Sequence, residues 1–415
     1  MNKRTVWGAV ALILMAIVVG CSEDESNNPT PVKPERVLIT RTERQLVASS
    51  NAFSFNLFRT AQDEVNSQIL SPLSITYALG MLNNGAAGDT QAQINKVLGF
   101  GEANADSINV FCQKMLTVAP KLDPQTKVMI ANNIYVNKGY ELKADFVRMA
   151  KEFYDATPET HDFHDGKTVN VINQWASDHT ERMIQKVLDA NSFNPDAVSY
   201  LLNAIYFKGT WTDKFEKSET KDEDFWQAGA EGKHTKMPMM HRRAKYSYAE
   251  NDKYQVLYLP YGNKSYVMTI LLPNDSTNEV CPVPTIEEWQ QLRGMMDVYE
   301  VDVKLPRFET DTNIDLQDIM SALGMHDAFD ADKADFRNFC VTPTYIGMMK
   351  QVAKIKLDEQ GTEAAAVTEV GMYATAIAPL IPAGPFDFHA NHPFLYVISE
   401  VQTRAIFFIG QYTGN

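Results

Sequence analysis

Glu359-Gln360-Gly361-Thr362-Glu363-Ala364-Ala365-Ala366-Val367-Thr368 is a run of small side chains behind a glycine. Counted at period two, Thr362, Ala364, Ala366, Thr368 and Val370 share one side, while Glu363 and Glu369 share the other. That is a strand pattern, with one face small enough to join a core and the other suited to water. Gly371, Pro379, Pro382, Gly384 and Pro385 follow closely, and proline cannot donate to a sheet ladder, so the same segment also reads as an exposed loop. A loop that can become a strand is a switch. The residues alone leave a further description open, since Glu363 to Val367 are good formers of an Ala-rich helix.

The flanks decide between these. Gly361-Thr362-Glu363-Ala364-Ala365-Ala366 resembles the hinge of inhibitory serpins, and Phe388-His389-Ala390-Asn391-His392-Pro393-Phe394-Leu395-Tyr396-Val397-Ile398 fits that family's C-terminal signature. Working outward, Asn51-Ala52-Phe53, Ser71-Pro72-Leu73-Ser74-Ile75 and Asn203-Ala204-Ile205-Tyr206-Phe207-Lys208-Gly209-Thr210-Trp211 are similar to serpin motifs in the family's order. So are Leu259-Pro260-Tyr261, Leu305-Pro306-Arg307-Phe308 and Leu323-Gly324-Met325 through to Phe329. The resemblance covers nearly the whole chain after residue 40 and includes the bacterial lipoprotein members of the inhibitory class.

The resemblance implies an α+β class, with several helices around three β-sheets and the hinge following strand Val352 to Leu357 of the largest sheet. It places a reactive-centre loop at about 359–385. It also implies an irreversible, suicide-type inhibitor of extracellular serine proteases: the target cleaves the loop, is held as an acyl-enzyme, and is disabled as the loop inserts into the main sheet. The hinge comprises Glu359, Gly361, Thr362, Glu363, Ala364, Ala365, Ala366 and Val367. The family's spacing, seventeen residues from Glu359 inclusive, puts the reactive bond at Thr375-Ala376, small residues that suit an elastase- or subtilisin-like pocket. The alternative is Tyr373-Ala374, which suits chymotrypsin-like or papain-like enzymes. Ser71, Asn203, Trp211 and Gln351 match the region where the sheet opens. Gln351 stands where many relatives carry histidine, so no pH-dependent loosening is expected through that position. The rival within the family is a non-inhibitory serpin acting as a binding or interaction protein. A charged or bulky residue at Thr362, Ala364 or Ala366 would have favoured it, and none is there.

An enzyme is the rival outside the family. The chain has no G-x-S-x-G elbow and no H-E-x-x-H, and Gly166-Lys167-Thr168 lacks the earlier glycine of a phosphate loop. His161-x-x-His164 with Asp162 and Asp165 offers metal-ligand chemistry, but Gly166 follows at once and the stretch corresponds to a strand-to-loop passage in the family. His389 and His392 read as surface or strand-end residues, and the methionines as core filler. No catalytic residue, cofactor or metal is expected.

The first residues carry a separate message. Lys3 and Arg4, an uncharged and largely apolar run from Val6 to Val19, and then Gly20-Cys21 form a secretory leader, too short for a membrane span of about 20 residues. Val18-Val19-Gly20-Cys21 resembles a lipobox, so residues 1–20 are expected to be removed and Cys21 lipidated. Residues 21–40 read as an acidic, Pro-containing tether, and 41–415 as a single domain whose 45% hydrophobic content can fill a large core. The protein is thus expected to be exported, lipid-anchored to a bacterial outer membrane at the cell surface, and monomeric. Its formal net charge of −14, two units more negative without Lys3 and Arg4, argues against nucleic acid as a partner and limits membrane contact to the lipid. The remaining partners are target proteases. With Cys21 lipidated, Cys112, Cys281 and Cys340 permit at most one disulfide and are read as buried structural thiols.

Overall fold

The computed structural model describes residues 37–101, 105–191, 193–229, 231–274, 278–362 and 384–415, which belong to one compact unit, Lys33–Asn415. The leader, Cys21, most of the tether, hinge positions Glu363 to Val367 and the bonds Tyr373-Ala374 and Thr375-Ala376 lie outside the described residues.

The described helices are α1 (Arg41–Ala61), α2 (Pro72–Gly85), α3 (Gly88–Leu98), α4 (Ala105–Val118), α5 (Ala144–Tyr154), α6 (Thr168–His179), α7 (Ile286–Gly294) and α8 (Gln317–Ala322). α1 begins where Thr40 and Glu43 form a reciprocal capping box. α2 starts as its sequence predicts. Ser71 caps it by accepting from the Ser74 N–H, Pro72 occupies the first turn where a missing donor costs nothing, and the helix ends at Gly85. Nearly every residue of α2 is buried, which makes it the central helix of the core. The apolar spacing of Val169 to Leu188 predicts one amphipathic stretch, and the structure departs from it. α6 stops at His179 because Glu181 and Arg182 adopt positive φ (48° and 66°), which no helix continues through.

The strands form two hydrogen-bonded networks. One has six strands, in the order β10 (Phe308–Asp315), β11 (Met348–Asp358), β12 (Gly361–Thr362), β4 (Ser199–Thr210), β2 (Thr126–Asn137) and β3 (Glu159–His161). The other has nine. It runs β1 (Gln68–Leu70), β15 (Ile406–Tyr412), β14 (Phe394–Glu400), β8 (Tyr266–Pro273), β7 (Tyr254–Tyr261), β6 (His234–Glu250), β9 (Asp297–Pro306) and β13 (Phe386–His389), with β5 (Lys221–Trp226) on β6. Tyr261-Gly262-Asn263-Lys264, set between two strand-like apolar runs, predicts a hairpin, and it is present, Tyr261 pairing with Tyr266.

The expected three sheets appear as two networks because β6 is 17 residues long and belongs to two of them. It pairs with β9 from Met239 to Tyr248 and with β7 from Tyr248 to Glu250. The strand ahead of the hinge, β11, lies in the six-stranded sheet, paired with β10 on one side and β4 on the other. Cys112, Cys281 and Cys340 are buried free thiols, and burial pushes Cys112 and Cys340 up to about 12, where they are inert.

Candidate functional site

The site lies where β11 and β4 meet. Along their lower half they pair directly and in parallel, from Met348 opposite Tyr200 to Lys354 opposite Tyr206. At the upper end they part, and β12 fills the gap. Thr362 stands between Leu357 and Gly209, and Gly361 between Asp358 and Thr210, antiparallel to both neighbours. Gly361 and Thr362, ahead of the small-residue run, are thus already strand, while the helix description of Glu363 to Val367 falls outside the described residues.

Gly361 has φ +145°, a region open in practice only to glycine, and a Cβ there would collide with the carbonyl oxygen of Gly209. Thr362 is fully buried and its hydroxyl shares a 2.7 Å hydrogen bond with the Tyr261 phenol. Tyr261 in turn stacks on Trp211, ring centroids 4.5 Å apart.

The turn between β11 and β12 is tied down by the chain that follows β4. The Trp211 N–H donates to the Gln360 carbonyl at 2.8 Å, Trp211 Nε1 to the Asp358 carbonyl at 3.0 Å, and the Phe215 N–H to the Glu359 carbonyl at 3.0 Å. The buried Glu359 carboxylate accepts from Arg307 Nε at 2.7 Å, from Arg307 Nη2, and from Thr220 Oγ1 at 2.6 Å. Burial pushes this carboxyl up, but the hydrogen bonds from Arg307 and Thr220 outweigh it and hold the group below its ordinary value.

Lower on the same seam, Ser71, Asn203 and Gln351 come together. Gln351 Oε1 accepts from the Ser71 N–H at 2.9 Å, and Gln351 Nε2 donates to the Ser71 carbonyl at 3.1 Å and to Asn203 Oδ1 at 2.5 Å. Asn203 Nδ2 donates to Asn132 Oδ1 at 2.5 Å and to Ser74 Oγ. These side chains are buried and link α2 to β11, β4 and β2 across the line where the sheet would part.

Tyr261, Arg307, Thr220, Ser74 and Asn132 were not singled out for these contacts in the sequence. Tyr261 and Arg307 belong to quoted motifs, but their partners are 101 and 52 residues away. His161 and His164 do not form one ligand set: His161 Nε2 lies 2.7 Å from Glu159, and His164 Nε2 lies 3.2 Å from Asp196.

This architecture has known counterparts. Residues 48–414 match the family model described as Serpin (serine protease inhibitor). Serpin B6 of Macaca fascicularis is 32% identical over 382 residues, covering 89% of this chain and 99% of that protein. The leukocyte elastase inhibitor of Equus caballus is 32% identical over 384 residues, with the same coverage. Among solved structures, the thermophilic serpin Tengpin in its native state superposes with a TM-score of 0.80 at 29% identity, covering 92% of this chain and 98% of that one. The chain belongs to the serpin family, and its fold is the serpin fold.

Proposed function

We propose that the chain is an irreversible inhibitor of extracellular serine proteases that works by loop cleavage and sheet insertion. The observation that carries this reading is the wedge of Gly361 and Thr362 between β11 and β4. Continuing the same antiparallel register sets Ala364 between Ile355 and Phe207, Ala366 between Ala353 and Ile205, and Thr368 between Gln351 and Asn203. Each inward position is then small or hydroxylated, and Thr368 meets the one polar cluster along the path. The wedge also spares the inserting arm its nucleation step, since its first two ladder pairs exist before any cleavage.

In this reading the protease serine attacks the carbonyl of Thr375, expels the amino group of Ala376, and remains esterified while the arm inserts. Insertion must outrun hydrolysis of the ester, so any charge on the inward face is costly at the step that has to be fast. The favoured targets have small apolar pockets, of the elastase or subtilisin kind. The leukocyte elastase inhibitor among the relatives supports that class by its name. Cys21 carries lipid, and the tether at 21–40 holds the inhibitor off the membrane.

Ala366→Arg tests the mechanism, since Thr362 is already buried before cleavage. In the inserted register it would bury a guanidinium between Ala353 and Ile205, at a cost of several kcal/mol for an unpaired buried charge. The expected result is loss of the SDS-resistant complex with elastase or subtilisin and conversion to a turned-over substrate, while the parent complex releases a peptide beginning at Ala376. An unchanged yield of complex in the variant would refute insertion.

A further inference from the structure

The outward face of the β6–β9–β13 half of the nine-stranded sheet carries an arrangement that loop insertion does not use. Asp302 of β9 stands directly opposite Asp387 of β13, and His389 opposite Lys304, in a parallel pair. On the other flank β6 sets Arg243 against Asp302 and His241 against Lys304. Val301, Val303 and Phe388, of the opposite parity, are buried, so alternation puts the polar set on the solvent side. Carboxylates facing each other in a ladder repel. The neighbouring cations have other partners: Arg243 Nε donates to Glu300 at 2.9 Å, and Lys304 Nζ donates to both oxygens of Glu223 at 2.8 Å.

What approaches the two carboxylates is imidazole. His241 Nε2 lies 2.9 Å from Asp302 Oδ1. His389 Nε2 lies 3.6 Å from the same oxygen, too far for a hydrogen bond, and that nitrogen is screened from water with no hydrogen-bond partner. One ligating atom from each of Asp302, Asp387 and His389 falls within 4.8 Å of the others. Two donors on a tetrahedral ion with bonds of about 2.1 Å are about 3.5 Å apart, so closure needs only a modest rotation of the exposed Asp387 side chain.

We propose that Asp302, Asp387 and His389 form a site for a divalent transition-metal ion, with Zn²⁺ as the type, water completing the shell and His241 orienting Asp302. An imidazole beside carboxylates suits Zn²⁺, Co²⁺ or Ni²⁺, whereas Ca²⁺ and Mg²⁺ are hard ions that take oxygen ligands and gain little from the imidazole. The ion would act as a clasp. β13 is a four-residue edge strand, paired with β9 along one side, and is the first strand after residues 363–383. An ion held by both strands removes the carboxylate repulsion and favours the folded form over any form in which β13 has left the sheet. The site stands independently of the inhibitory reading.

The test uses the mature chain from residue 21 with Cys21→Ala and no affinity tag, freed of metal with EDTA and titrated with ZnCl₂ by calorimetry and thermal melting. The parent should bind one Zn²⁺ and melt higher with it, and MgCl₂ should do neither. Asp387→Asn and His389→Gln should each weaken binding by about tenfold or more, while His161→Gln should not. Asp387→Asn should also melt at or above the metal-free parent, because it removes the facing charge, and should lose the Zn²⁺-dependent rise. Absence of Zn²⁺ binding, or binding that both Asp387→Asn and His389→Gln leave intact, overturns the site.

Discussion

His392, just ahead of β14, is buried, and its Nε2–H donates to the Pro273 carbonyl at 3.0 Å. Burial depresses the imidazole below its ordinary value of 6.5, against the opposing pull of that hydrogen bond. The folded protein therefore prefers the neutral ring more strongly than the unfolded chain does. The resulting stability is fully present above pH 6.5 and is lost as pH falls through 6.5 toward the depressed folded value. Urea midpoints measured at about pH 7.5 and about pH 5.5, a window in which ordinary carboxylates stay ionised, should fall on acidification in the parent. They should fall less in His392→Gln, whose amide can still donate to Pro273. Equal slopes would remove His392 as the cause. The sequence made half of this legible: glutamine at 351 already denied the sheet a titrating group there. It did not reveal His392, because a strand-end histidine and a buried one look the same until Pro273, 119 residues away, is placed against it.

At the scale of elements, the lower seam between β11 and β4 is held by backbone pairing and by Gln351, whose amide ties both strands to the start of α2. Gln351→Leu would take this amide from the buried Ser71 N–H and Asn203 Oδ1, while the Ser71 carbonyl keeps the Ile75 N–H at 3.1 Å. The expected cost is about 2–4 kcal/mol, read as a lower midpoint in chemical denaturation. A change within error would mean that the sheet is held by its ladder alone. The legible elements were those with local punctuation: Ser71-Pro72 and Gly85 bounded α2, and the turn around Gly262 joined β7 to β8. What could not be read was set by longer-range pairing. The apolar spacing of Val169 to Leu188 continues past the true end of α6, since Ile184, Val187 and Leu188 pack into the same small core from a non-helical chain. Likewise, the continuity of β6 across two sheets has no sequence marker, only a long run of residues that tolerate either partner.

For the molecule as a whole, the anchor and the inhibitor are separable in the proposed reading. Cys21→Ala should move the protein from the membrane fraction to the soluble exported fraction while its complex formation with protease in solution is unchanged. Continued sedimentation with membranes would refute lipidation at Cys21. The motif order that placed the chain in its family was legible over nearly the whole domain, and the family model spans 48–414 accordingly. The parity that sent Thr362 inward was legible too, and Thr362 is fully buried. The Glu359–Arg307–Thr220 tie was not, since it joins three separate stretches of chain.

The antiparallel setting of β12 also has a consequence of transport. A strand that grows downward from Thr362 between two fixed neighbours turns the sheet into a track with one direction of travel. Pairing as far as Tyr200 on β4 requires nine more residues in the register fixed by Thr362 and Gly209, and at about 3.4 Å per residue that is a journey of about 30 Å. In the proposed reading, whatever is covalently joined at Thr375 would be carried that distance along the seam toward Tyr200 and Met348. The tie between Glu359 and Arg307 fixes the point from which that distance is measured.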